Sequence, residues 1–353
     1  MRINITKQEE IVMDFSLLNN LVDPAILFFF FGLLAAGVKS NLEIPAPIAK
    51  FFSLYLLIAI GFKGGVALSA SGFTSTALIG IGAALIMAVL VPAYSFMILR
   101  KRTNPYNAAA IAATYGSISA VTFIAAQQFL TKNEVDFGGY MTVAMVLMES
   151  PAIIMAVLLA TLVRKKQAQE EAALAGANPN MAAPAASGNQ VSIKEVLHEA
   201  FTDGAHLLLI GSLVIGYITG DAGKDMMAPF TSEIFKGILA FFLLEMGLLV
   251  ARQLRQTGEL SKFLMGFALI MPMFNAGVAI FIAYLFGMSI GDTVLLAVLA
   301  ASGSYIVVPA ICRYAIPEAK PGVYFSMSLA FTFPFNIVIG IPLYYAVINM
   351  LWT

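Results

Sequence analysis

Long stretches without any charged side chain constrain this fold more than any other sequence feature. They cover residues 64–99, 103–131, 263–291, 293–312 and 321–353. A helix needs about 20 mainly apolar residues to cross the hydrocarbon core of a bilayer. Charged residues form only 11% of the chain, against about 25% in soluble proteins. The sequence therefore predicts an all-α polytopic membrane protein.

The apolar segments between charges predict ten transmembrane helices. Their approximate bounds are 24–42, 46–62, 74–99, 106–130, 139–163, 204–221, 234–251, 263–286, 292–312 and 321–350. Residues 167–203 are rich in Ala, Gly, Pro and Asn, a composition typical of a flexible linker. Within this linker, SIKEVLHEAF begins at Ser192 with a capping box, which predicts a short amphipathic helix on the cytoplasmic membrane surface.

The sequence predicts four parts, of which the linker is the third. Residues 1–23 form an extracytoplasmic segment, 24–166 a first five-helix repeat, 167–203 the cytoplasmic linker and 204–353 a second five-helix repeat. The segments around residues 61 and 247 are similar, as are ATYGSIS (113–119) and ASGSYI (301–306), and so are the surroundings of Pro151 and Pro334. Because each unit has an odd number of helices, the second is inverted. Inverted repeats with interrupted helices are typical of secondary transporters.

The placement of Lys and Arg predicts the orientation. Basic residues near helix ends remain cytoplasmic, and an outside N-terminus puts fourteen of the twenty Lys and Arg residues on that side. Both termini are then extracytoplasmic. The N-terminal residues lack the basic region and short apolar core of a signal peptide. The zero net charge gives no indication of a nucleic-acid partner. The expected location is the inner (cytoplasmic) membrane.

Small and hydroxyl residues interrupt the fourth and ninth predicted helices. Interruption of a membrane helix exposes half-helix N-termini, whose amides and partial positive charge suit an anion. The alternative is that small residues only allow close helix packing. The predicted substrate-binding residues are Gly116, Ser117, Ser119, Thr122, Ser302, Gly303 and Ser304.

Glu149 lies inside the fifth predicted helix, two residues before Pro151. An ionisable group at membrane depth is a functional candidate by default. We predict that Glu149, together with Thr114 and Asn336, contributes oxygen ligands to a Na⁺ site. The alternative is a structural or protonated carboxyl. Glu245 in the seventh helix is a second candidate, or the partner in a salt bridge.

Enzyme motifs are missing from the sequence. It has no Gly-rich phosphate loop, and its two histidines, His198 and His206, lie beside the linker. The Gly-Asp of SIGD (289–292) has no partner Asp within another predicted helix. We therefore expect no catalytic residue and no organic cofactor.

Four motifs carry a family resemblance. They are YGSISAVTF (115–123), MESPAIIMAV (148–157), LLEMGLL (243–249) and AASGSYIVVPAICRYAIP (300–317). On these motifs and its five-plus-five arrangement, the chain resembles the sodium-dependent bicarbonate permease family best known from cyanobacteria, from about residue 24 onward. The chain departs from the family pattern at Val121, which replaces a hydroxyl residue, and at Tyr305, which replaces an Asp. Val308 replaces the Gly of a Gly-Pro pair.

The resemblance implies a homotrimer with an elevator-like moving core, Na⁺ coupling and a cytoplasmic P-II-like regulatory partner. The resulting hypothesis is a Na⁺-coupled symporter that imports bicarbonate, bound between the two helix breaks at mid-membrane. Tyr305 favours the alternative of a related Na⁺- or H⁺-coupled transporter of another small or organic anion. A membrane receptor or scaffold is a further alternative, although residues 167–190 lack the charged module it would need.

Overall fold

A computed structural model describes residues 23–174, 204–255 and 260–352. The described residues form helices and connecting turns, without a β-strand. The segment 1–22 and the amphipathic helix predicted from Ser192 lie outside them.

Six helices precede the linker and six follow it. The first six are α1 (Pro24–Gly37), α2 (Ala46–Ser71), α3 (Ser75–Leu99), α4 (Pro105–Gly116), α5 (Ala120–Lys132) and α6 (Tyr140–Leu174). The next are α7 (Gly204–Ala228), α8 (Ile234–Arg255), α9 (Lys262–Leu285), α10 (Ile290–Ala301), α11 (Val307–Ala315) and α12 (Pro321–Trp352). Because α6 continues to Leu174, the first residues of the predicted linker, 167–174, are helical.

Within the described residues, seven helical stretches are long and apolar enough to cross a membrane. The stretch Pro105–Lys132 joins α4 and α5, and Leu207–Arg255 joins α7 and α8. The second has 49 residues, about twice the length that one crossing needs. The helices α1 and α10 are apolar but shorter. The count of ten crossings and the inverted repeat therefore remain predictions.

Short polar side chains start several of these helices. Each accepts a hydrogen bond from an amide of the first turn, which has no acceptor within the helix. The capping residues are Asp23 for α1, Thr74 for α3, Asn104 for α4, Ser261 for α9 and Ser289 for α10. Local sequence thus fixes where these helices begin.

The helices form two groups. In the first, α1 packs along α8 and α2 along α7, while α3–α6 and α9–α12 pack mainly among themselves. Glycines permit the close approach in the first group: a side chain at Gly32 or Gly247 would collide with backbone of the partner helix, and so would one at Gly65 or Gly216. Small residues serve this purpose between membrane helices because lipid provides no hydrophobic driving force for helix association.

Contacts between basic residues and distant helix ends show which ends share a side. Arg164 on α6 binds Glu318, in the loop between α11 and α12, through two hydrogen bonds of 2.8 Å. Arg255 at the end of α8 donates to the carbonyls of Ala36 and Gly37 at the end of α1. The guanidinium of Arg102 lies over the ring of Phe263, next to Lys262. These contacts join helix ends that the charge pattern assigns to one side.

Candidate functional site

Two helix breaks of the same form occur in the second group of helices. The helix α4 has 12 residues and ends at Gly116, after which Ser117 is extended, with φ −94° and ψ −174°. The helix α10 also has 12 residues, and Ser302 after it is extended, with φ −88° and ψ 171°. The chain resumes as α5 at Ala120 and as α11 at Val307. The sequence rule that Gly and hydroxyl residues interrupt a membrane helix therefore located both breaks.

The two breaks contact each other directly. The amide of Ser304 donates to the carbonyl oxygen of Thr114 at 2.9 Å, and the amide of Ser119 donates to the hydroxyl oxygen of Ser302 at 3.0 Å. Interrupted helices leave backbone groups that need partners in a low-dielectric interior. Here each break satisfies polar groups of the other.

A cavity of about 70 Å³ lies beside the point where the two breaks meet. A cavity needs roughly 10–15 Å³ to hold one water molecule, so a small ion with part of its hydration shell fits. The breaks contribute Ile118–Val121 and Ser304–Val307, the start of α5 and of α11. Ile124 of α5 also lines the cavity. The rest of the wall comes from α2, α6, α7 and α8: Ser53, Leu56, Leu57, Met145, Val146, Glu149, Leu209 and Phe242.

Two hydroxyls on the wall are oriented by helix starts. The Ser119 oxygen accepts hydrogen bonds from the amide and the hydroxyl of Thr122, at 3.1 and 2.9 Å. The Ser304 oxygen accepts from the amide of Val308 at 3.2 Å. A hydroxyl that accepts from the backbone retains its own proton to donate. Both serines therefore have a donor to offer a ligand in the cavity.

Of the other predicted substrate residues, none lines the cavity. Gly116 packs against Pro92 of α3, and Gly303 lies beside the side chain of Ser328. The Ser302 hydroxyl donates to the carbonyl of Leu299, at 2.9 Å. Ser117 is buried, and its hydroxyl has no partner among the described residues. These residues shape the breaks, whereas Ser119 and Ser304 face the cavity.

Glu149 is the one charged residue among those that line the cavity. It is 7% exposed and projects from α6. Thr114 and Asn336 do not line the cavity. The Thr114 hydroxyl donates to the carbonyl of Ala110, and the Asn336 amide donates to the carbonyl of Ala301 at 2.9 Å.

The electrostatics of the cavity follow from this arrangement. Because no Lys or Arg lines it, attraction for an anion would come from the N-terminal ends of α5 and α11, where the helix dipole gives partial positive charge. Attraction for a cation comes from Glu149.

Tyr305 closes one side of the cavity. It is 7% exposed and packs edge-on against Phe333 of α12, with ring centroids 5.6 Å apart. Its hydroxyl is buried next to Ser119 without a partner of hydrogen-bond geometry among the described residues. The aromatic ring occupies space that an Asp side chain would leave open.

Sequence reasoning missed the wall that comes from the first group of helices. Ser53, Leu209 and Phe242 stand in ordinary apolar segments, and no motif distinguishes them. Only the packing of α2, α7 and α8 against the breaks brings them to the cavity.

The sequence was also compared with known proteins and protein families. A family model described as the Na⁺-dependent bicarbonate transporter superfamily matches residues 24–349. A search of curated proteins found no match.

Proposed function

Because the chain belongs to the Na⁺-dependent bicarbonate transporter superfamily, we propose that it is a symporter that imports bicarbonate together with Na⁺. The observation that carries this proposal is the single cavity wall shared by two helix N-termini and one carboxylate. An anion and a cation have complementary sites there. Coupled transport requires that binding of one ion favour binding of the other, and neighbouring sites in one cavity would provide such coupling.

Bicarbonate would bind in the cavity, at the point where the two breaks meet. The hydroxyl protons of Ser119 and Ser304, whose oxygens accept from the amides of Thr122 and Val308, would donate to its oxygens, and the N-terminal ends of α5 and α11 would contribute partial positive charge. Gly116, Ser117, Thr122, Ser302 and Gly303 hold the breaks in shape. All of these donors are neutral, so the site favours a small anion without fixing it by an ion pair.

Na⁺ would bind near the carboxylate of Glu149. Hard cations prefer oxygen ligands, and the hydroxyls of Ser53, Ser119 and Ser304 share the wall with Glu149. Direct contact of Na⁺ with Thr114 or Asn336 stays a prediction, since both side chains already hydrogen-bond to the protein. Binding of Na⁺ beside the site lowers the cost of bringing an anion next to a carboxylate.

Transport needs the site to reach both sides of the membrane. The two helix groups support an elevator-like movement, since the breaks lie entirely within α3–α6 and α9–α12, while α2, α7 and α8 supply the opposite wall. Movement of the second group past the first would carry the bound ions. The inverted repeat provides two related end states for this movement.

The orientation and the assembly complete the proposal. The end of the molecule that holds Arg102, Arg164 and Arg255 would face the cytoplasm, with both termini outside. The family resemblance supports a homotrimer in the inner membrane and a cytoplasmic P-II-like regulatory protein as a partner. Neither proposal depends on the cavity.

One observation favours a second candidate within the same class. Tyr305 takes up space in the cavity and adds a neutral hydroxyl next to Ser119. A phenol can donate to a carboxylate as well as to bicarbonate. Transport of another small or organic anion, driven by Na⁺ or H⁺, is therefore the alternative.

The test is uptake of labelled bicarbonate into proteoliposomes with and without an inward Na⁺ gradient. We expect Na⁺-dependent accumulation, abolished in Ser304→Leu, which fills the cavity. Uptake that ignores the Na⁺ gradient would refute the coupling. Competition by formate, acetate and nitrate identifies the preferred anion: a competitor that binds more tightly than bicarbonate would favour the alternative.

A further inference from the structure

Glu245 is a second buried acid, and it lies outside the cavity. It is on α8 and is 5% exposed. One of its carboxylate oxygens is buried without a hydrogen-bond partner among the described residues. A buried charge without a partner costs several kcal/mol, so such groups are normally paired or neutral. The salt bridge considered from the sequence does not form in the described part of the chain.

The position of Glu245 on α8 places it at the boundary between the two helix groups. Phe242, one turn before it, lines the cavity, and Gln253, two turns after it, donates to the hydroxyl of Ser326 on α12 at 2.7 Å. At 3.6 residues per turn, Glu245 is about 60° around the helix from Phe242. The acid therefore lies near the face that the second group would slide along.

The neighbouring segment of α12 is irregular in a way that often marks function. Residues Met327–Thr332 form a π-helical turn that packs against α8. A π-helical turn shifts the backbone hydrogen bonds and is common at functional sites. A second such turn follows at Asn336–Gly340. The helix α12, which packs against α8, is thus irregular over these two segments.

Few charges surround Glu245. The helices α1 and α12 carry none, α2 carries Lys50 and Lys63, and Glu43 precedes α2. On α8 itself, Arg252 attracts the carboxylate across two helical turns, whereas Glu43 repels it. None of these groups forms an ion pair with Glu245 within the described chain.

We propose that Glu245 is a proton-binding site that holds a proton while α8 packs against α12 and releases it when the two helices separate. A proton removes the charge of a buried carboxylate, whereas Na⁺ needs several oxygen ligands directed at one point. The proton leaves to water at the end of the bundle that holds Arg252 and Arg255. The site makes the packed state more stable at lower pH on that side.

The site can be tested without transport, although its effect on uptake rests on the proposed function. Infrared difference spectra of the purified protein detect the C=O stretch of a protonated carboxyl. At neutral pH we expect this band in the wild type and its loss in Glu245→Gln. The exposed acid Glu170, which pairs with Lys166, provides the matched control: Glu170→Gln should retain the band, while Glu149→Gln identifies any contribution from the cavity acid. Identical spectra of the wild type and Glu245→Gln would overturn the proposal.

Uptake then tests the consequence. At constant bicarbonate and Na⁺ concentrations, the wild-type rate should vary with pH by up to about tenfold per unit, the limit for one titrating group. Glu245→Gln, a permanently neutral isostere, should lose this dependence, and Glu170→Gln should keep it. An unchanged pH profile in Glu245→Gln would refute the role in transport. Failure of the wild type to transport bicarbonate at all would instead refute the proposed substrate, while the infrared band still decides the proton site.

Discussion

The amide of Ser304 donates to the carbonyl oxygen of Thr114 over 2.9 Å, so the break after α10 caps the helix that ends at the other break. The last carbonyls of a helix have no partner within it, and Thr114 lies two residues before the end of α4. This bond joins two segments 190 residues apart in the sequence. It makes the two breaks one structural unit, and the unit forms the wall at which an anion would bind.

Ser119 offers the sharpest test of the anion site. Ser119→Ala removes a hydroxyl from the cavity and the cap of α5, which costs about 1 kcal/mol of stability. We expect a folded protein whose half-saturating bicarbonate concentration rises by roughly tenfold, the equivalent of about 1.4 kcal/mol for one lost hydrogen bond to a charged ligand. Concentration-dependent uptake measures this change.

Thr131→Ala is the matched control for Ser119→Ala. It lies on the same helix and removes a hydroxyl that donates to the carbonyl of Gln127, far from the cavity. Its half-saturating concentration should equal that of the wild type. Equal values for all three proteins would show that Ser119 does not contact the anion.

Glu149 tests the cation site. Glu149→Gln keeps the shape of the side chain and removes its charge, so Na⁺ loses its strongest attraction in the cavity. We expect the Na⁺ concentration for half-maximal uptake to rise at least about tenfold, with a smaller change in bicarbonate affinity. Glu170→Gln on the same helix, whose carboxylate pairs with Lys166 at the surface, should behave as wild type. Unaltered Na⁺ dependence in Glu149→Gln would place the cation elsewhere.

Tyr305 tests the selectivity of the cavity. Tyr305→Ala removes a ring that packs on Phe333 and enlarges the space next to Ser119. We expect weaker bicarbonate uptake and new competition by larger anions such as lactate. Tyr217→Ala, at an exposed position on α7, controls for loss of an aromatic side chain. An unchanged competitor profile in Tyr305→Ala would mean that the ring does not limit substrate size.

Asp292 is predicted to stabilise the fold. In the sequence, Asp292 lacks the second Asp that an aspartyl protease would need. In the structure, its carboxylate accepts hydrogen bonds from the amide of Gly138 and the hydroxyls of Tyr140 and Ser289, each at 2.7 Å. Asp292→Ala leaves three donors without an acceptor, and we expect a loss of about 2–5 kcal/mol in unfolding free energy. Thermal unfolding in detergent measures it. Asp136 is exposed and lies nearby, so Asp136→Ala should unfold at the same temperature as the wild type. Equal unfolding temperatures for Asp292→Ala and Asp136→Ala would contradict the prediction.

The helices and their interruptions were accessible from sequence, but the walls of the site were not. Gly116 ends α4 and Ser302 follows α10, each within a cluster of small and hydroxyl residues that locally weakens the helix. The cavity depends instead on which helices pack together. Nothing local to Phe242 indicates that it lines the same cavity as Glu149, because an apolar residue on an apolar helix has many possible neighbours. The role of Glu245 as an unpaired acid likewise appears only once its surroundings are known.

The ion pair between Arg164 and Glu318 predicts a response to acid. Arg164 holds the pKa of Glu318 below its ordinary value of 4.5, mainly through the hydrogen bonds between them. A lowered pKa means that the pair stabilises the folded state above pH 4.5 and loses this contribution as the pH falls through the lowered pKa. Because both side chains are about one third exposed, we expect less than about 1 kcal/mol. Unfolding temperatures measured from pH 7 down to about pH 3 should converge for the wild type and Glu318→Gln at the acidic end. A constant difference across this range would show that the ionised pair does not contribute.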